Sequence, residues 1–266
     1  MKLLNDGLSI DSFWGRLASS GNRILMLDYD GTLAPFRLER DKAMPYSGVK
    51  DALTRIMDIP RCRVVLVTGR TVSDIASLID IHPLPEIWGA HGMERLDKDG
   101  IYERNPVPPQ TEQLVTDLYN WLFLKGYKSQ TELKPGCLAF HTRGMEEDDA
   151  KRLILEIKDK YLELIKNNKR EDDLETHLFD GGIEFRTRGA DKGRAVNAVL
   201  REGGMDAAVA YLGDDFTDED AFKAIKEKGL GVLVRRKYRE TAADLWISPP
   251  DELIDFLSYW EEMCRR

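Results

Sequence analysis

The chain has 266 residues, 42% of them hydrophobic and 32% charged, enough to bury a substantial core in one large domain or two modest ones. A formal net charge of −8 argues against nucleic acid or an anionic membrane as the main partner, and no apolar run approaches the ~20 residues that span a bilayer. The opening stretch lacks the uninterrupted apolar segment of a secretory signal, and Cys62, Cys137 and Cys264 are odd in number with no metal-ligand spacing; both features point to a reduced, cytoplasmic protein.

Two short apolar runs come early, Ile24 to Leu27 and Val64 to Val67, each ending in polar, turn-prone residues. Such runs read as strands buried on both faces of a parallel sheet. Helical spacing follows each, at Leu53, Ile56 and Met57 and then at Val72, Ile75, Ala76 and Ile79. A strand at Glu86 to Gly89 is next, followed by a hairpin over 94–104 that turns at Asp97 to Gly100. The proline-rich segment Asn105 to Pro109 reads as a linker, and the rhythm then changes. A helix (Leu114, Leu118, Leu122) leads to a hairpin turning at Lys134-Pro-Gly136. A longer helix (Leu153, Ile157, Leu164) leads to a second hairpin turning at Asp180-Gly-Gly182. From about Gly189 the alternation of strand and helix returns, with helix 193–201, strand 208–212, helix 218–226, strand 231–234 and a closing helix over 252–263. The expected fold is α/β: a Rossmann-like core with a parallel sheet, interrupted by a smaller α+β domain.

Four motifs stand where core strands end, which is where open α/β sheets bind ligands. Asp28-Tyr-Asp30-Gly-Thr places two carboxylates one residue apart, so that one can attack phosphorus while the other moves a proton. Thr68-Gly69-Arg70 offers a hydroxyl and a backbone N–H at a helix start, although Thr there is also an ordinary N-cap. Asp191-Lys192-Gly193 brings a compact cation to the next helix. In Gly213-Asp214-Asp215-Phe-Thr-Asp218, so many acids together call for a cation such as magnesium, or for an acidic helix N-terminus that favours the macrodipole.

The four motifs in this order resemble the haloacid dehalogenase-like (HAD) phosphatase superfamily. The resemblance implies Asp28 as nucleophile, Asp30 as general acid and base, and Thr68 with Lys192 as phosphate ligands, beside Gly69 and Arg70. It implies magnesium as cofactor, held by Asp214, Asp28 and the carbonyl of Asp30, with Asp215 or Asp218 assisting. The insert is similar to the trehalose-6-phosphate phosphatases in Glu132 to Arg143 and in Gly182 to Arg186, as is the core in Gly89 to Glu94. That likeness implies a catalytic core at 1–106 and 188–266 and a substrate-specifying cap at 107–187. In the cap, Glu132, Lys134 and Glu184 would bind sugar hydroxyls, and Arg143 and Arg186 would do likewise or approach the phosphate. It further implies a sugar phosphate as substrate, a trehalose-6-phosphate synthase as candidate partner, and a monomer. Thr142 and Thr187 depart from the family pattern beside these contacts. Charges alternating along hairpins also read as a solvated face. Alternatives are a phosphatase of the same architecture for another sugar ester, a phosphomannomutase-like phosphotransferase, and a regulatory sugar-phosphate-binding module.

Overall fold

The computed structural model describes residues 1–5, 7–37, 39–168, 174–179 and 181–266. In chain order the elements are β1 (Lys2–Leu3), α1 (Ile10–Ser19), β2 (Arg23–Leu27), α2 (Val49–Met57), β3 (Cys62–Val67), α3 (Val72–Ile79), β4 (Glu86–Gly89), β5 (Glu94–Leu96) and β6 (Tyr102–Arg104). Next come α4 (Pro109–Leu124), β7 (Thr131–Lys134), β8 (Cys137–His141), α5 (Glu147–Asn168), β9 (Leu174–Phe179) and β10 (Gly182–Thr187). The chain ends with α6 (Lys192–Gly203), β11 (Ala208–Gly213), α7 (Glu219–Ile225), β12 (Leu230–Val234), β13 (Leu245–Ile247) and α8 (Asp251–Arg265). Backbone contacts divide these into two compact units, Met1–Glu103 with Asp191–Arg266, and Arg104–Ala190.

The first unit carries a sheet of order β1-β13-β12-β11-β2-β3-β4-β5-β6, parallel from β13 through β4 and antiparallel where β1 meets β13 and β5 meets β4. The apolar runs of the sequence become its centre because period-two alternation sends each run to both faces. Leu25 and Leu27 of β2, Val64 and Leu66 of β3 and Leu212 of β11 pack with α1, α2 and α8. Ile24 and Met26, Val65 and Val67, and Val209 and Tyr211 point the other way, onto α6 and α7. The register aligns Leu212 with Leu27 and Leu27 with Leu66, so β11, β2 and β3 end side by side. Chain order reverses at β2, which makes these three strand ends the switch point of the sheet.

The second unit is a four-stranded antiparallel sheet, β7-β8-β10-β9, with α4 and α5 on one face. Leu138 and Phe140 of β8 and Ile183 and Phe185 of β10 bury there against Leu114, Leu118 and Ile157. Of the second predicted hairpin turn, Asp180 lies outside the described residues. Sequence periodicity missed α1 and the short β1 and β13. The helix expected over 218–226 begins one residue later as α7, because 216–218 form a 3₁₀ turn. Among the described residues no helix is long and apolar enough to cross a membrane.

The lower layer of the core is closed by aromatic packing between α1 and α8. Trp260 is fully buried, with Phe13, Trp14 and Phe256 at centroid distances of 6.2, 6.4 and 6.3 Å. Trp260→Ala is expected to cost about 3–5 kcal/mol of unfolding free energy, read as a lower urea midpoint; an unchanged midpoint would mean that α8 packing does not support the sheet.

Candidate active site

Asp28 follows the last residue of β2 and is anchored by its own N–H, which donates to the Leu212 carbonyl at 2.8 Å. Gly31 turns the chain behind it at φ +86°. A side chain there would be strained, and its Cβ would stand 2.2 Å from Asp214 Oδ2. Lys192 opens α6, whose N-cap Asp191 accepts from the Arg194 N–H at 2.7 Å. Its ammonium donates to Asp28 Oδ1 at 2.6 Å and to Asp218 Oδ1 at 2.7 Å. Asp218 also accepts from the Tyr211 hydroxyl and, through Oδ2, from the N–H groups of Asp214 and Asp215, both at 2.9 Å. Four donors occupy a carboxylate that offers about four lone-pair positions, so Asp218 orders the Asp214 loop and braces Lys192.

Asp28, Asp214 and Asp218 each place one oxygen within 4.8 Å of the others, and all three are buried. Burial, and secondarily repulsion from Asp218, push the Asp28 carboxyl up to about 7 although Lys192 opposes the shift. Burial and the charges of Asp28 and Asp218 push Asp214 well up as well. Burial works against the Lys192 ammonium, but Asp218 and Asp28 more than offset it and its pKa is raised. Asp214 Oδ1 is buried with no hydrogen-bond partner. An orphaned carboxylate oxygen beside a second buried carboxylate suits a hard divalent cation such as magnesium, which prefers oxygen ligands and a few carboxylates. Asp214 has an unpartnered oxygen for this, and Asp28 Oδ2 is held only by a long bond from the Thr32 hydroxyl at 3.4 Å, whereas Asp218 spends its oxygens on protein donors.

The other predicted metal-binding side chains lie outside this group of three carboxylates. The Asp30 carboxylate pairs with Arg70, Oδ2 accepting from Nε at 2.6 Å and Oδ1 from Nη2 at 2.7 Å. Arg70, expected at the substrate, is in this structure paired with Asp30. Asp215 is tied to the loop through its N–H to Asp218 and its carbonyl, which accepts from Arg239 Nη2 at 2.6 Å.

Thr68 follows β3 and is almost wholly buried; its Oγ1 accepts from the Arg70 N–H at 3.1 Å, and its N–H donates to the Trp88 carbonyl at 2.9 Å. The 68–70 loop is held from the next strand. Ala90 N–H donates to the Arg70 carbonyl at 2.7 Å, His91 N–H to the Thr68 carbonyl at 3.0 Å, and Glu94 Oε2 accepts from the Val72 N–H at 2.8 Å. Ala90, His91 and Gly92 all have positive φ, and a Cβ on Gly69 would lie 2.6 Å from the His91 ring. Sequence reading noted His91 and Glu94 only for their likeness and missed Tyr211, Arg235 and Arg239. Tyr211 reads as core from its apolar neighbours, and Arg235 and Arg239, donors to the Asp214 carbonyl at 3.2 and 3.3 Å, sit in a loop without a motif.

In the second unit the predicted hydroxyl-binding residues form two rows across three strands. Register aligns Glu132, Ala139 and Glu184, and beside them Lys134, Cys137 and Arg186. The small central residues leave room for charged side chains to meet over β8. Lys134 Nζ lies 2.9 Å from Glu184 Oε1 and 3.7 Å from Glu132 Oε2. Arg186 Nε is 2.9 Å from Glu184 Oε2, Cys137 Sγ donates to Glu184 Oε1 at 3.1 Å, and His141 Nε2 lies 3.2 Å from Glu132 Oε2. Lys134, Glu184 and Arg186 are each no more than 7% exposed, which a solvated hairpin face would not produce. Arg143 stands apart from these rows, packed over Gly181.

The probable trehalose-phosphate phosphatase H of Arabidopsis thaliana is 28% identical to this chain, over 90% of the chain and 72% of that protein. The trehalose-phosphate phosphatase of Mycobacterium avium (strain 104) is 29% identical over 91% of the chain and 63% of its own length. Among solved structures, the C-terminal domain of C. albicans trehalose-6-phosphate phosphatase superposes with a TM-score of 0.76 at 20% identity, covering 98% of this chain and 99% of that one, which shows a shared fold. The sequence profile of the trehalose-phosphatase family matches residues 26–245, from within β2 to the start of β13, and so takes in every motif of the site. The chain belongs to the trehalose-phosphatase family of phosphoric monoester hydrolases.

Proposed function

We propose that the chain hydrolyses trehalose 6-phosphate to trehalose and phosphate, as a step of trehalose formation, with magnesium as cofactor. The observation that carries this reading is Asp28 itself: a buried carboxylate at the switch point of the sheet, bonded to Lys192 and grouped with Asp214. The substrate is taken from what the relatives are named for. The first unit would be the catalytic core and the second the specificity cap.

In this reading Asp28 attacks the phosphorus of the ester. The bond between phosphorus and the sugar oxygen breaks, and Asp30 supplies the proton to that oxygen. Water then hydrolyses the aspartyl phosphate with Asp30 receiving a proton, which returns Asp28 to its carboxylate. Lys192 offsets the charge of Asp28 and of the incoming phosphate, and Thr68 and the Gly69 backbone would hold the phosphate oxygens. Asp28, Asp214 and the carbonyl of Asp30 would hold the magnesium, which supplies positive charge where two anions must approach. Glu132, Lys134, Glu184 and Arg186 would pair the sugar hydroxyls, for which aligned rows of charges, three of them buried, are suited, and Arg143 would add a contact from outside the rows.

Phosphate release across a panel of sugar phosphates, with and without chelator, tests the whole reading. Trehalose 6-phosphate should be turned over best, and chelator should stop it; a preference for another ester would move the assignment to that substrate. Asp28→Asn should lower kcat/KM below about a thousandth of wild type, and survival of a tenth would rule out the covalent role. Glu184→Gln, which keeps the shape of the cap row, should lower kcat/KM for the sugar ester about ten- to a hundredfold while leaving p-nitrophenyl phosphate unaffected.

Metal and pH are linked through the same carboxylates. The folded-state pKa of Asp28 is raised from 3.8 to about 7, so the folded protein binds the proton more tightly than the unfolded chain. Stability of the metal-free protein is therefore lost as pH rises through that window, and Asp214 acts in the same direction. A divalent cation removes the cause. Magnesium should raise the Tm more at pH 8 than at pH 5; an equal rise at both values would disconnect the cation from these two acids.

A further inference from the structure

We propose that Arg239 is a positioning residue for Asp214, holding its loop rigid enough to favour magnesium over calcium; this rests on the metal-binding role given above to Asp214. The peptide unit joining Asp214 to Asp215 is held at both ends. Its carbonyl accepts from Arg239 Nε at 3.3 Å and from Arg235 Nη1 at 3.2 Å, and its N–H donates to Asp218 Oδ2 at 2.9 Å. The Asp214 N–H also donates to Asp218 Oδ2, and the Asp215 carbonyl accepts from Arg239 Nη2 at 2.6 Å. All four backbone polar groups of these two residues are thus bound. Arg239 is itself fixed. Its Nη1 donates to Glu219 Oε1 and, at 2.8 Å, to the Glu240 carbonyl, and the Phe216 ring centroid lies 4.8 Å from the guanidinium carbon. Glu219 is held in turn by the Ala242 N–H, 2.8 Å from Oε2. With its side chain 10% exposed, Arg239 clasps the Asp214 loop to the segment 239–242.

What the clasp leaves unbound is Asp214 Oδ1, buried and without a hydrogen-bond partner. The other carboxylate oxygen stands against Gly31, where a Cβ would come within 2.2 Å of it. With backbone and carboxylate both confined, Oδ1 has little freedom to adjust to the ion it meets. Magnesium demands near-ideal octahedral geometry and short bonds, whereas calcium accepts longer and more irregular ones. A rigid ligand therefore favours magnesium, and a loosened one gives that preference up. The clasp acts through position and not through charge, because Glu219 pairs with Arg239 and leaves little net charge to face a cation. A charge effect would act on both divalent ions alike.

The test titrates magnesium alone, and calcium alone, into the chelator-stripped chain, and reads each Kd from the rise of Tm above that variant's own metal-free value. Arg239→Met should raise the magnesium Kd at least about tenfold and the calcium Kd less than about threefold. Arg239→Lys keeps the charge without the fork and should raise the magnesium Kd about three- to fivefold, again more than that of calcium. It is the measured variant should Arg239→Met fail to fold. With p-nitrophenyl phosphate, the loss of activity in either variant should be largest at limiting magnesium and shrink as magnesium is raised. An unchanged magnesium Kd, an equal loss for both cations, or a loss of activity that magnesium does not reduce would overturn the proposal and leave Arg239 to the fold alone. A wild-type chain that hydrolyses sugar phosphates yet binds neither cation would instead remove the cofactor assigned above, and this role with it.

Discussion

The ammonium of Lys192 is the hinge of the site, because it is the cation that lets Asp28 and Asp218 be buried together. Each acid is at most 3% exposed, and the lysine bonds both within 2.7 Å. Buried charges of one sign destabilise a fold unless paired and hydrogen-bonded. Two residues then decide how the compensation is shared. Asp218 is saturated by protein donors and becomes part of the scaffold, whereas Asp214 keeps an oxygen with no partner. Three buried carboxylates against one ammonium leave the group two positive charges short, a deficit of the size a divalent cation carries.

A sheet that reverses at β2 explains why residues 28, 192 and 214 meet although 164 positions, the insert among them, separate Asp28 from Lys192. Strands β11, β2 and β3 end in register, and α6 and α7 pack on one face so that the start of α6 delivers Lys192. The rigidity comes from aliphatic side chains buried on both faces of three strands. The site itself is made of loops, which a packed sheet holds to short tolerances.

The second unit uses a different device for the same problem of burying charge. Its sheet is apolar toward α4 and α5 and polar on the opposite face, the alternation expected of a two-layer α+β unit. On the polar face Ala139 and Cys137 are small, and the longer residues of β7 and β10 meet over them. Lys134 and Arg186 bracket Glu184, so the carboxylate is held in one orientation.

The sequence by itself determined the α/β core and the break in its strand–helix alternation between Asn105 and Gly189. Those signals are local: apolar runs of four, glycine turns, and acids spaced at strand ends. Even so, α1 was missed because its apolar face reads as a helix only once Trp14 and Leu17 have α8 to pack against. Only tertiary structure decided how the acids divide their work. By residue type alone Asp214, Asp215 and Asp218 are alike, and only the family resemblance sets Asp214 apart; that Asp218 is the one occupied depends on Tyr211 and Lys192, one from the preceding strand and one from another helix. Likewise the pairing of Arg70 with Asp30, 40 positions earlier in the chain, is not written in either motif and comes from the adjacency of β2 and β3. Residue type fixes what a group can do; the partner it reaches across the sheet fixes what it does, because hydrogen bonds and charges act over a few ångströms and not along the chain.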